Sequence, residues 1–354
     1  MQFGWLTLAH SSSPEADQAG IHEQLAQACH AEAMGFDGVW LTEHNFTGES
    51  VYCDPIPFAS ALAVKTSRIR IGFAVIQMAL RHPIRLATEL AVIDNLSNGR
   101  LDVGVGRGSI FNEYEYVGFG LRSDDSRARM AEAIDLMRRA WVEEPLDFKG
   151  HYFEAHLPAL RPKSVQKPHP PIWQSCVSPP SFTAAGRQGV PILTVRLALP
   201  ALRERLALYA AGLAESGLDA AAQKRLAQQA AVWRHVYVAD SRAEAEDDLS
   251  AALLRTRQHM NHARDTYNPA DFRFDKAFLN AWTDSSISDA AGVKFALDNG
   301  AIYGTPADVT AQIAEMKAAG IGHVLAQMSF GYLTHAKIMA SMRRFGEQVI
   351  PKLR

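Results

Sequence analysis

Three short polar elements follow three successive apolar runs: Glu43-His44-Asn45-Phe46, Arg81-His82-Pro83 and Gly104-Val105-Gly106-Arg107-Gly108-Ser109. Their residue types suit proton transfer and anion binding. A free imidazole titrates at about pH 6.5, so His44 is equipped to take up or give a proton at neutral pH. Glu43, one residue earlier on a strand, faces the other way. The plain alternative for His44 is a hydrogen-bonded residue closing a strand end. A place at the exit of a parallel strand favours chemistry.

The glycine run resembles a dinucleotide fingerprint and fails it. Its third glycine, Gly108, falls one place early, and the run does not sit on the first strand of its unit. It reads better as a glycine-lined bed that a flat ring or a phosphate approaches closely, with Arg107 as a bidentate phosphate partner. A tight strand exit with Arg107 in a rim salt bridge is the alternative. Arg127, near the start of a later helix, offers a second phosphate contact.

Ser175-Cys176-Val177-Ser178-Pro179-Pro180-Ser181 leaves a fifth strand and opens a helix, where free N–H groups and hydroxyls make an anion site. Ordinary N-capping by Ser178 is compatible with that reading. Cys176 lacks a nearby base and reads as a packing residue. His10, His82, His235 and His323 also lie near strands. Ala9-His10-Ser11-Ser12 does not supply the His-x-His that a binuclear metal barrel shows after its first strand, so no metal site is expected.

Positioning these residues requires a repeating scaffold. Strand-like runs occur at Phe3–Leu8, Asp37–Thr42, Ile69–Ile76, Leu101–Gly106, Pro171–Ser175, Pro191–Val195, Trp233–Val238 and His323–Gln327. Helical spacing falls between most of them. Ile21, Leu25 and Ala28 mark a first helix that Gly35 ends. Pro55–Lys65 forms a second, and a third begins at Pro83 and stops at Asn98-Gly99. Met130, Ile134, Met137 and Trp141 mark a fourth. A helix over 178–189 follows the fifth strand, and Ile338, Met342, Phe345 and Val349 stripe the last. A small hairpin spans Asp147–Phe153.

Eight such units in one chain predict a single-domain (β/α)8 barrel over residues 1–354, with chemistry at the C-terminal ends of the strands. The repeat breaks between Asn261 and Gly304. Its aromatics (Tyr267, Phe272, Phe274, Phe278, Trp282) show no clean period, so this largest insertion, before the eighth strand, is either a lid or two short helices packed on the barrel's bottom.

Composition narrows the partners. The 354 residues are 47% hydrophobic, with 36 Lys and Arg against 38 Asp and Glu and a net charge of -2. No basic stripe suggests nucleic acid, and no apolar run reaches the roughly 18 residues needed to cross a bilayer. The N-terminus reads as a strand rather than a signal peptide. Cys29, Cys53 and Cys176 show no metal or disulfide spacing, which fits a reduced, cytoplasmic setting.

Several motifs together resemble the bacterial luciferase-like monooxygenase family. They are Trp40-Leu41-Thr42-Glu43-His44-Asn45-Phe46, Gly72-Phe73-Ala74-Val75-Ile76, His82-Pro83-Ile84-Arg85 and Asp94-Asn95-Leu96-Ser97-Asn98-Gly99-Arg100. Gly106-Arg107-Gly108, Ser126-Arg127, Pro170-Pro171-Ile172-Trp173, Gly304-Thr305-Pro306-Ala307-Asp308 and Ala319-Gly320-Ile321 continue the pattern. The resemblance implies a TIM barrel that uses reduced FMN and dioxygen, with a separate flavin reductase as functional partner. It implies a non-prolyl cis peptide at Ala74-Val75 beside the ring. The FMN phosphate would be held by Arg107, Gly108, Ser109, Arg127 and the segment Gln174, Ser175, Cys176, Val177 and Ser178. His44 matches the family's histidine that serves oxygen chemistry as base or proton donor. A homodimer through the second and third helices is also implied.

Two departures bear on substrate. The light-emitting subunit carries a second histidine where this chain has Asn45, and a cysteine where it has Gly106. Light emission and a long-chain aldehyde are therefore not expected, while flavin binding is untouched, and Gly106 leaves room beside the ring. The expected activity is FMN-dependent oxygenation of a small organic substrate. The alternatives are hydride transfer with the deazaflavin F420, which shares this barrel, and a non-catalytic flavin-binding subunit. The substrate-shaping loops follow the first, sixth and seventh strands and include Arg196.

Overall fold

Prolines and short polar side chains fix where the helices begin. Pro55 and Pro83 open theirs at the expected positions, the first behind an Asp54 carboxylate that accepts from Ile56 N at 2.9 Å. A proline there sacrifices no helical bond. The computed structural model describes residues 1–8, 10–273 and 279–354. Ala9 and the aromatics Phe274 and Phe278 lie outside the described residues.

The first half of the chain holds β1 (Gln2–Thr7), α1 (Pro14–Ala33), β2 (Gly38–Leu41), α2 (Pro55–Lys65), β3 (Arg70–Phe73), β4 (Ile76–Gln77) and α3 (Pro83–Leu96). β5 (Leu101–Gly106), α4 (Glu113–Gly118), α5 (Ser126–Val142) and the hairpin β6 (Leu146–Lys149) and β7 (Glu154–Leu157) follow. Next come β8 (Ile172–Cys176), α6 (Pro179–Arg187), β9 (Ile192–Thr194), α7 (Leu199–Ala214), α8 (Ala220–Gln229) and β10 (Ala231–Val238). The chain ends with α9 (Arg242–Tyr267), α10 (Asp289–Gly300), β11 (Ala301–Gly304), α11 (Pro306–Ala318), β12 (His323–Ser329), α12 (His335–Arg344) and α13 (Ile350–Leu353).

Eight of these strands close a parallel barrel in the order β12-β1-β2-β3-β5-β8-β9-β10, with β10 returning to β12. The eight expected runs are these strands. After β3 the Ala74–Val75 peptide is cis, as the resemblance implied, and β4 resumes pairing with β5 through Ile76↔Val105 and Gln77↔Gly106. Inside the barrel, Leu6, Trp40, Trp173, Leu193, Ala231 and Leu325 pack together. Gly4 is a space requirement of that layer, because a Cβ there would come 2.5 Å from the Trp40 ring.

Outside the barrel, the helices bury a larger core. The stripe Ile338, Met342, Phe345 and Val349 is almost fully buried. Each such side chain contributes about 1.5–3 kcal/mol relative to exposure. Ile21, expected on the inner face of α1, is instead 38% exposed.

The described parts of the Asn261–Gly304 stretch are more regular than the sequence suggested. Residues up to Tyr267 complete the 26-residue α9, and α10 and β11 occupy its end. β11 pairs with the outer half of β10, from His235↔Ala301 to Val238↔Gly304. The last turns of α9 lie at the barrel's C-terminal rim, where Arg264 Nε donates to Asn112 and Asn268 Nδ2 donates to Phe111 O. This stretch is therefore not packed on the barrel's bottom at that end. Among the described residues, no helix is long and apolar enough to cross a membrane.

Candidate active site

His44 leaves β2 at the rim and meets two carboxylates that local sequence gave no reason to pair with it. Its Nδ1 lies 3.4 Å from Glu115 Oε1 and 3.7 Å from Glu49 Oε2. Glu49 comes from the loop five residues on, whereas Glu115 comes from α4. Glu115 is fully buried. It accepts from Asn45 N and Nδ2 at 3.1 and 3.2 Å, Gln77 Nε2 at 2.6 Å and Asn112 Nδ2 at 2.8 Å.

These contacts fix the charges. Burial pulls the His44 pKa down, but the Glu49 charge and the bond and charge of Glu115 overcome it and lift it to about 9. A quarter of the His44 side chain is exposed, so solvent screening trims that shift. Burial likewise pushes Glu115 up, and His44, Asn112 and Gln77 hold it below the usual carboxylate range. At neutral pH the pair is imidazolium and carboxylate. With Nδ1 committed to the acids, Nε2 is the nitrogen left for chemistry.

Glu43 faces away from His44, as strand alternation requires. It accepts from Gln77 N at 2.9 Å and Arg81 Nη2 at 2.8 Å, and Arg81 Nη2 also reaches Asp54 Oδ1 at 2.9 Å. This bracket ties the β2 exit, the α2 cap and the segment after the cis peptide into one unit. Arg81 and Glu43 are therefore positioning residues. The end of α9 completes this side. The Arg264 guanidinium lies over the Phe111 ring at 5.0 Å and feels the charges of Glu49 and Glu115.

The glycine run works differently from the bed expected of it. A Cβ on Gly104 would collide with Phe73 O, one on Gly106 would come 2.6 Å from Val75 Cγ2, and one on Gly108 would come 2.5 Å from Gln77 Oε1. The glycines make room for the protein's own β3–β4 connection rather than for a bare platform. The room beside Gly106 is taken by Val75. Ala74 and Val75 themselves stay half-buried next to the inner cluster. They are the apolar surface available to a flat ring.

Arg107 and Arg127 come together beyond β5. Burial first, then the Arg127 charge, lowers the Arg107 pKa. Neither guanidinium makes an ion pair among the described residues. The rim salt bridge considered for Arg107 is thus not formed there. Tyr116 Oη donates to Arg107 O at 2.5 Å and sets the turn. Ser109 Oγ accepts from Phe111 N at 3.2 Å, a local bond that occupies one of its lone pairs.

The fifth-strand segment needs correction. Ser178 occupies the N-cap of α6, but its hydroxyl makes no capping bond. Pro179 and Pro180 remove two first-turn donors, so this helix start is a poorer N–H anion site than expected. Val177 N is bonded to Ser181 Oγ at 3.2 Å. Cys176 turns outward into the cluster with Phe182 and Tyr209, and burial pushes its thiol up to about 12. Gln174 shares that outward face by strand alternation, so both residues offer the rim only backbone. Ser175, on the inner face, sits where a Gly106 Cβ would come 3.7 Å from its own. Ser175 is thus the side chain of this segment that lies beside the β5 exit, one residue before Arg107.

A second group lies across the rim. Arg196 follows β9 and is held between Trp233 and Trp282, 4.8 Å from each ring. Its Nη1 donates to His235 Nε2 at 2.8 Å. Burial and the charge of Arg234 lower its pKa to about 9, so it remains a cation at neutral pH. Cation–π contacts contribute about 0.5–2 kcal/mol each, whereas withdrawing an ion from water costs several. The tryptophans do not compensate the charge.

Comparison with known proteins fits this arrangement. The family model for luciferase-like monooxygenases matches residues 1–323. The chain belongs to the luciferase-like monooxygenase family. Limonene 1,2-monooxygenase of Rhodococcus erythropolis is 30% identical over 259 residues, 72% of this chain and 64% of that enzyme. F420-dependent glucose-6-phosphate dehydrogenase of Amycolatopsis mediterranei is 31% identical over 178 residues, 48% and 50%. The chain thus spans about half to two-thirds of the length of these curated relatives.

Among solved structures, monooxygenase RslO1 from Streptomyces bottropensis superposes with a TM-score of 0.82 at 26% identity, covering both chains completely. The oxygenating constituent of 3,6-diketocamphane monooxygenase from Pseudomonas putida, in complex with FMN, gives 0.77 at 20% identity, over 100% of this chain and 99% of that one. Proteins similar to this chain thus include one solved with FMN and one named as F420-dependent. The residues on this rim fit a flavin. Two guanidiniums without an ion pair among the described residues and the Ser175 hydroxyl suit a phosphate dianion, and Ala74 and Val75 suit the ring.

Proposed function

We propose that this chain is the oxygenase of a two-component system that oxygenates a small organic substrate with dioxygen and reduced FMN supplied by a separate flavin reductase. The observation that carries this reading is the placing of His44 Nδ1 at 3.4 Å from Glu115 and 3.7 Å from Glu49, on the same rim as the cis Ala74–Val75 peptide. When bound, reduced FMN would supply the electrons that activate dioxygen. His44 Nε2 would give a proton to the developing oxygen anion, and Glu115 would hold the imidazole ring in place while it does so. Arg107, Arg127, Ser175 and Ser178 would hold the phosphate, with Gly108, Ser109 and Cys176 contributing backbone, whereas Gln174 N and Val177 N already donate to Pro191 O and Ser181 Oγ. The 261–304 region would cover the mouth and keep water out.

Two further features support the assembly and setting. Val64, Val92 and Leu96 are exposed apolar residues on α2 and α3, which suits a homodimer through those helices. All three cysteines are free, which suits a reducing cytoplasm.

FMN is favoured over F420 because the deazaflavin's longer acidic tail calls for more cations than the Arg107–Arg127 pair. Titration with reduced FMN and with F420 tests this directly. FMN is expected to bind more tightly, and turnover of aldehydes, ketones, alkanes or sulfonates with a generic flavin reductase should collapse in His44→Ala. Preferential F420 binding, with hydride transfer and no use of oxygen, would overturn the proposal.

A further inference from the structure

Among the described residues, the Arg196 cluster has donors in excess of the acceptors that face them. Arg196 makes no ion pair with a carboxylate among the described residues, and neither does its neighbour Arg234. Arg234 Nη1 and Nη2 donate only to the carbonyls of Trp233 and Leu197. His235 is 2% exposed, and because its Nε2 accepts from Arg196, its Nδ1 carries the proton. That Nδ1 has no partner among the described residues. Gln327 is fully buried beside it on β12, in register with His235. Its Oε1 takes the Trp233 indole N–H at 2.7 Å, and its Nε2 has no partner among the described residues.

Placement adds to composition. Trp233, His235 and Gln327 share the inner face of the barrel by strand alternation with Ala231 and Leu325. Trp282 and Gly300, both from the 261–304 region, close over the Arg196 side chain, and a Cβ on Gly300 would come 2.7 Å from Arg196 Cδ. The guanidinium is thus fixed by apolar and aromatic walls at the rim, and its remaining N–H groups have no partner among the described residues. A positioned, desolvated guanidinium fork matches a planar carboxylate.

We propose that Arg196 receives an anionic oxygen group of the substrate, so that the oxygenated molecule is a small organic acid carrying a carboxylate or sulfonate. The flavin reading above is assumed for the word substrate; the anion site itself stands on Arg196 and its neighbours. Trp233 and Trp282, which flank the guanidinium, provide a readout independent of turnover.

The test is titration of the flavin-free full chain with benzoate, benzenesulfonate and neutral benzamide, followed by tryptophan fluorescence, with FMN binding measured in parallel. Benzoate or benzenesulfonate should saturate at least about tenfold more tightly than benzamide. The stronger of the two identifies the group. Arg196→Gln should abolish the preference while FMN affinity stays unchanged, which also reports that the variant is folded. Arg196→Lys should retain part of it. Equal binding of benzamide, no saturation by either anion, or an anion response that survives in Arg196→Gln would overturn the proposal. So would loss of FMN affinity together with inorganic phosphate binding at Arg196, since the site would then belong to the cofactor. If wild-type protein binds benzoate through Arg196 but no FMN, the flavin reading fails and the anion site remains.

Discussion

The Gln77 side-chain amide donates to Glu115 Oε2 at 2.6 Å and to Glu43 O at 2.9 Å. One side chain therefore ties the β2 exit, the strand after the cis peptide and α4 together around His44. The imidazole's electrostatics depend on a carboxylate held by three separate elements, which a rigid barrel rim supplies and a flexible loop would not.

Replacing Glu115 by Gln should lower the His44 pKa from about 9 toward the free value of about 6.5. Glu49 would still raise it, but burial and the Arg264 charge would oppose that single acid. The folded pKa lies above the unfolded one, so His44 contributes its full stability below about pH 6.5 and loses it as pH rises through about 9. Glu115→Gln should flatten that alkaline loss. NMR titration of the His44 Cε1–H reads the midpoint, and an unchanged midpoint would remove Glu115 from the assignment.

At acid pH the sign reverses. His235 and His323 are 2% and 5% exposed, and burial lowers His323 to about 4 and His235 well below its ordinary value. The unfolded chain binds protons at both below about pH 6.5, while the folded chain refuses them. Stability should fall from about pH 6.5 to 4, by up to about 1.4 kcal/mol per pH unit per histidine. Urea unfolding at pH 7 and pH 5 measures this. His323→Gln should remove about one proton's worth of the slope; identical slopes would mean that His323 titrates freely in the folded chain.

The eight strands and the starts at Pro55 and Pro83 were legible because period and punctuation are local properties. Glu115 was not. It lies 71 residues from His44, and Glu113-Tyr114-Glu115-Tyr116-Val117 alternates with period two, so nothing marks the six-residue α4. The glycine run was half legible. Three glycines announce that no Cβ is tolerated, but only the fold shows that Phe73 O, Val75 and Gln77 fill the space. Arg196 was visible as a loop residue, yet the tryptophans that isolate it come from strand and insertion elements far along the chain.

Gly106 and Val75 should be energetically coupled. A Cβ at Gly106 would sit 2.6 Å from Val75 Cγ2, and a β-branched side chain has few rotamers in which to escape. Gly106→Ala should destabilise by about 1–3 kcal/mol. Adding Val75→Ala removes the colliding methyl and should recover most of that loss. Thermal melts of the four proteins give the coupling, and strictly additive effects would show that the strain lies elsewhere.

Arg257 holds the insertion in place. It is 1% exposed on α9, donates to the carbonyls of Ala281, Trp282, Asp284 and Ile287, and meets Asp289 Oδ1 at 3.1 Å. Its fork thus joins α9 to the segment that carries Trp282 and to the first residue of α10. Arg257→Met keeps the bulk but strands four carbonyls and a carboxylate, a loss of about 3–5 kcal/mol for a broken buried charge network. Arg257→Lys keeps the charge but not the geometry, so it should recover only part. Because the barrel's own strands do not depend on these bonds, the loss should be local. Hydrogen exchange should rise in 279–288 and α10 while β1–β5 stay protected, and limited proteolysis should nick the same segment. Uniform loss of protection across the barrel would instead make Arg257 part of the global core.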